Sequence, residues 1–96
     1  MQLDSKETEH LFLTILSLHT LEEAKAFFRD LLTESEIDEF SKRWKAARML
    51  YVQIPYSEIQ RETGLSSRTV ARISKWLQSG MDGYKLLINR NHHNDS

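Results

Sequence analysis

Between positions 64 and 76 the chain reads GLSSRTVARISKW, and the polar residues in this stretch are suited to holding an anion or the edge of a base. Arg68, Arg72 and Lys75 are cations, while Ser66, Ser67 and Thr69 carry short hydroxyls that both donate and accept hydrogen bonds. On a helix of about 100° per residue, Val70, Ile73 and Leu77 gather on one side and Arg68, Arg72 and Lys75 almost opposite. The segment would then have an apolar back that fixes it to the rest of the chain. Its cationic front would be free to enter a groove lined by phosphates. The start of such a helix adds partial positive charge and unpaired amides. The Arg68 fork matches the two acceptors of guanine, and the hydroxyls can reach base edges or phosphates. Ser57 and Gln60, on the segment before it, complete the candidate contact set. A plain helical corner with a solvated basic face is the alternative.

No other grouping offers comparable chemistry. Cysteine is absent, which removes disulfides, thiolate ligands and thiol nucleophiles. His92 and His93 with Asp95 lie in the polar ending NHHNDS without the spacing of a four-ligand site, so no metal is expected. His10 and His19 read as surface residues of the first helices. No nucleophile, base and orienting acid fall together, and an enzyme is not expected. Trp44 and Trp76 recur at helical spacing with other apolar residues and read as core.

The elements that must position the basic segment are helical throughout. SKETEHLFLTILSL places Leu11, Phe12, Leu13, Ile15, Leu16 and Leu18 around more than half of a helix, which needs cover on several sides. Thr20 with Glu23 and Thr33 with Glu36 have capping-box spacing. The first three helices therefore cover about 5–18, 21–31 and 34–53. The third carries Ile37, Phe40, Trp44, Ala47 and Tyr51 at helical intervals and ends before Pro55. Ser57 with Gln60 opens a fourth, which Gly64 stops in the left-handed conformation. Ser66 caps a fifth over 67–78. After Gly83, YKLLINR forms the last helix, and residues 91–96 are expected to be a frayed tail. A short helix, a glycine turn and a longer helix over 56–78 have the spacing of a helix-turn-helix. Ile59, Leu65, Val70 and Ile73 fill its interior positions.

At 96 residues and 40% hydrophobic content the chain suits a single all-α domain over 1–90, and its small size favours a dimer. The net charge of −1 hides an uneven distribution. Residues 1–39 hold three basic and ten acidic side chains; residues 40–96 hold ten basic and four acidic ones. Such asymmetry suits either a polyanion surface or two solvated faces that pair with each other. The polar, acidic opening MQLDSKETEH and the lack of an apolar run near the roughly 20 residues that span a bilayer lead us to expect a cytoplasmic protein without membrane contact.

LLTESEIDEFSKRWKAARMLY followed by YSEIQRETGLSSRTVARISKWL resembles the Trp repressor superfamily, and within it the YerC/YecD-like branch of small Trp-repressor-related proteins. The resemblance is clearest over 31–78. It implies an interlaced homodimer of about six helices per chain, with a helix-turn-helix head on each side, that binds double-stranded DNA and regulates transcription, as a repressor. The helix-turn-helix serving as a protein-interaction module is the alternative. The resemblance also implies a corepressor pocket, in which Leu32, Thr33, Arg43 and Arg72 match the positions that hold tryptophan. In the family pattern a glycine follows the second arginine, with a serine three residues beyond. Here Ile73 and Trp76 stand there, adding bulk where the ligand would lie, so no cofactor and no response to tryptophan are expected.

Overall fold

The computed structural model describes residues 3–94, with side chains through Asn91. Six helices and no strand occur among the described residues: α1 (Lys6–Leu16), α2 (Leu21–Leu31), α3 (Glu34–Tyr51), α4 (Tyr56–Thr63), α5 (Ser67–Ser79) and α6 (Gly83–Asn94). The all-α architecture agrees with the sequence. Two compact units divide the chain, Met1–Ile37 and Asp38–Ser96, and the boundary falls about one turn into α3.

In the first unit, local hydrogen bonds set the helix starts. The Ser5 hydroxyl accepts the Thr8 amide at 3.2 Å, and the Thr20 hydroxyl accepts the Glu23 amide at 3.1 Å. Thr33 and Glu36 form a full capping box, each side chain accepting the other's amide. Glu23 departs from that pattern, since its carboxylate takes the amide of His19 rather than that of Thr20. None of the described residues up to Ile37 is buried. Leu13, Leu16 and Leu21 are more than half exposed, and Phe27 and Phe28 meet edge to face at 5.5 Å. His10 and His19 are on the surface.

The second unit holds the core. Ala46 and Ala47 of α3, Ile59 of α4, Leu65 of the turn, Val70, Ile73 and Leu77 of α5, and Ile88 of α6 form one cluster. Trp44, Met49, Leu50, Ile54 and Tyr84 pack around it. The stripe expected on α3 is shifted. Ala47 is buried, but Phe40 and Tyr51 are exposed, because the inward face runs through Ala46, Ala47 and Leu50. The Tyr51 hydroxyl instead donates to Asn89 Oδ1 at 2.8 Å.

Several helix ends differ from the sequence expectation, and α1 stops at Leu16 rather than 18. α3 stops at Tyr51, not 53, because Gln53 adopts a left-handed conformation at φ 66°. Its amide bonds the Leu50 carbonyl while that of Ile54 bonds Met49, the paired bonds of a Schellman ending. α4 begins at Tyr56 with Pro55 as its cap residue, so Ser57 is already helical and does not open the helix. The fixed φ of Pro55 leads into the helix, and its carbonyl accepts the amides of Glu58 and Ile59. α6 continues to Asn94, through residues expected to fray. Asp95 and the side chains of His92 and His93 lie outside the described residues.

Gly64, at φ 77°, has open space around its Cα, whereas Gly83 opens α6 with a negative φ and equally open surroundings. Gly64→Ala should therefore destabilise the second unit by about 1–2 kcal/mol through backbone strain alone. Gly83→Ala should stabilise it by roughly 0.4–1 kcal/mol. Urea unfolding midpoints moving in opposite directions would verify the pair.

Candidate nucleic-acid interface

The helix-turn-helix is built from its buried face outward. Ile59, Val70 and Ile73 are the largest side chains fully withdrawn from water, each contributing roughly 1.5–3 kcal/mol of apolar burial. They lock α4 and α5 together through a turn in which Gly64 caps α4, its amide reaching the Gln60 carbonyl at 2.8 Å. α5 buries Val70, Ile73, Ser74 and Leu77. Arg68, Arg72 and Lys75 are all exposed on its other face, as the helical wheel requires.

Three cations on the neighbouring helices are paired, unlike those of α5, although Lys45 and Arg48 of α3 also take part in no ion pair among the described residues. On α3, Lys42 meets Asp38 at 2.9 Å and Arg43 meets Glu39 at 3.1 Å; on α4, Arg61 meets Glu58 at 3.4 Å. The Asp38 carboxylate, through its hydrogen bond and its charge, holds the Lys42 ammonium above the ordinary lysine value. α5 contains no acid, and among the described residues Arg68, Arg72 and Lys75 take part in no ion pair. Their charge faces solvent without local compensation.

The hydroxyls divide into two roles. Ser66 accepts the Thr69 amide at 3.2 Å and donates to the Thr69 hydroxyl at 3.0 Å, so both are engaged in capping α5. Ser67 is exposed beside Arg68 at the start of the helix. On α4, Ser57 is exposed and Gln60 partly so.

The positions suggested for a corepressor are used locally. Leu32 ends α2, and Thr33 is occupied in its capping box, both in the first unit. Arg43 and Arg72 belong to the second unit, the former half-buried against Glu39 and the latter exposed. Two expectations need correction. Ile73 does not fill a ligand space, because it is fully buried in the core beside Ile59 and Val70. Trp76 is not core: it is 45% exposed and lines an open apolar groove of about 810 Å³ with Trp44, Met81, Tyr84 and Leu87. Trp44 stacks on Tyr84 at 6.4 Å and lies under the Arg48 guanidinium at 5.8 Å. Burial pushes the Tyr84 phenol up, against an opposing pull from the Arg43 charge. The sequence held the Glu39–Arg43 pair at i,i+4 spacing; the groove had no local signal, because it depends on where α6 packs.

Six helices, with a glycine turn joining a short helix to a longer one that is basic on its outer face, define a helix-turn-helix protein. Residues 6–92 match the family described as Trp repressor protein, and the chain belongs to that family. It is 42% identical over 93 residues to the uncharacterized YerC protein of Bacillus subtilis (strain 168), covering 94% of this chain and 89% of that one. A crystal structure of a TrpR-like protein from Eubacterium eligens ATCC 27750 superposes with a TM-score of 0.89 at 39% identity, over 94% of this chain and 93% of the other. A candidate Trp repressor from Staphylococcus aureus gives a TM-score of 0.88 at 35% identity, over 96% and 95% of the two chains.

The two serines at the start of α5 should separate by mutation. Ser66→Ala removes the cap and should cost about 1 kcal/mol, whereas Ser67→Ala should stay within about 0.5 kcal/mol of wild type. Equal shifts in denaturant midpoint would contradict the assignment of the cap to Ser66.

Proposed function

We propose that the protein is a transcriptional regulator, a repressor, that binds specific double-stranded DNA as a homodimer through residues 56–78. The observation that carries this reading is the α5 face, on which Arg68, Arg72 and Lys75 lie unpaired opposite a fully buried side. A cationic stripe held on a rigid apolar back suits insertion into the major groove. Arg68 and Ser67, in the first turn, read base edges, joined by Thr69, whose hydroxyl accepts from Ser66 and retains its own proton to donate. Lys75, Arg72, Ser57, Gln60 and the capped helix start with Ser66 serve phosphates. The reading treats residues 1–90 as one working domain, acting in the compartment that holds the DNA.

Membership of the Trp repressor family supports the same reading, as do the unburied apolar residues of α1 and α2. A second copy would cover Phe12, Leu13, Leu16 and Leu21 and supply the symmetry of a palindromic site. Its half-sites would lie about 34–36 Å apart.

Titration with a DNA fragment selected from a random pool, at two salt concentrations, tests the proposal. Two chains should bind each site, and affinity should fall steeply with salt as phosphate contacts release counterions. Arg68→Ala should cost roughly 1–3 kcal/mol on the selected site and relax preference at one base pair per half-site. Lys75→Ala should weaken selected and random DNA alike. Binding that ignores both salt and sequence would instead favour a protein-interaction module.

Regulation by tryptophan is not part of this proposal. The Arg43 guanidinium already holds the Glu39 carboxylate, and the indole of Trp76 lines the groove beside Trp44. An incoming amino acid would have to displace the first and compete with the second. Calorimetry should accordingly detect no stoichiometric micromolar binding of tryptophan; a saturable signal of one ligand per chain would refute this.

A further inference from the structure

Thr63 is a polar residue in an apolar place. It is 4% exposed, at the end of α4, between the core residues Ile59 and Leu65. Its hydroxyl donates to the Ile59 carbonyl at 2.7 Å and accepts the Leu65 amide at 3.2 Å. A single oxygen thus ties the last turn of α4 to the backbone that leaves Gly64. The bonds on either side continue the connection: the Gly64 amide reaches Gln60, and the carbonyl and hydroxyl of Ser66 take the amides of Val70 and Thr69. Removing the Thr63 hydroxyl would leave the amide of Leu65, whose side chain is 7% exposed, without this acceptor. The turn would then shift to recover a partner.

A small shift there has a long reach. Lys75 lies ten residues beyond Leu65 along the direction of α5, about 15 Å at 1.5 Å per residue. A rotation of about 10° at the turn would therefore move Lys75 by about 2–3 Å and Arg68, about 4.5 Å from the pivot, by about 0.8 Å. The smaller shift is enough to stretch a base-edge hydrogen bond of about 2.9 Å beyond its useful range, while the attraction of Lys75 to phosphates tolerates the larger one.

We propose that Thr63 is a positioning residue for base selectivity: its buried hydroxyl fixes the angle at which α4 presents α5. This rests on the DNA-binding reading above. The test compares the full chain with Thr63→Val, which keeps the shape and loses the hydroxyl, and Thr63→Ser, which keeps the hydroxyl. The affinity ratio for a selected fragment over random DNA of equal length should fall about tenfold in Thr63→Val. Its salt dependence should be unchanged, and Thr63→Ser should restore the ratio. Amide hydrogen exchange at Leu65 should be slow in wild type and Thr63→Ser, and fast in Thr63→Val. A retained ratio in Thr63→Val, equal losses on selected and random DNA, or a serine variant as impaired as the valine one would overturn the proposal. Should Thr63→Val not fold, fast Leu65 exchange in the wild-type chain would overturn it by itself. A wild-type chain with no sequence preference would defeat the DNA-binding reading, and Leu65 exchange across the three proteins would still decide whether the hydroxyl holds the turn.

Discussion

Exclusion of water from Ile59, Val70 and Ile73 is the constraint on which the second unit depends. α5 is strongly two-sided, and it has one orientation that hides its aliphatic face against α4 and the alanines of α3. That orientation dictates everything on the opposite face. The outward direction of Arg68, Arg72 and Lys75 needs no polar contact to set it, because burying Val70 and Ile73 already does so. The turn follows from the same requirement: two short helices can share so small a core only if the chain reverses tightly between them. A left-handed Gly64 and a buried Thr63 make that reversal.

Charge is used in two ways within one unit. Along α3 and α4, Lys42, Arg43 and Arg61 sit three or four residues from acids and spend their charge locally, and exposed pairs of this kind add little stability. Along α5 there is no acid to meet, and the repulsion among like charges is left standing. Natural sequences rarely leave such a stripe unrelieved on a fixed surface unless something of opposite sign relieves it. The contrast between helices carries more weight than the overall charge of −1, which would suggest no polyanion at all.

What could be read from the sequence was mostly what is local. Gly64 at the turn, Ser66 as cap, the Thr33–Glu36 box and the two faces of α5 are each fixed by neighbours within four residues, and all appear in the structure. The misreadings arose where a distant element or a backbone choice decided. Gln53 ends α3 in a conformation usually taken by glycine, so its side chain gave no warning. Ser57 has the spacing of a cap, yet Pro55, already fixed in φ, takes the position first. Phe40 and Tyr51 lie on the expected stripe of α3, but the packing of α5 and α6 selects Ala46 and Ala47 as the inward residues. Trp76 was read as core for the same reason: Ile73 is interior, as its place on the α5 wheel requires, but only three-dimensional packing shows that the indole faces an open groove.

The first unit has no interior, and this bears on how the protein could sense the state of its cell. Among its described residues none is buried, and Leu16 is 78% exposed. In the homodimer proposed above, the stability of this segment belongs to the pair rather than to the chain, and so varies with protein concentration. Where single chains predominate, the concentration of pairs rises with the square of the concentration of chains. Diluting the chains twofold by growth without synthesis would then cut the concentration of the paired form about fourfold. A regulator built this way has its own abundance as an input, set by the balance between synthesis and growth, whether or not any small molecule ever occupies the groove.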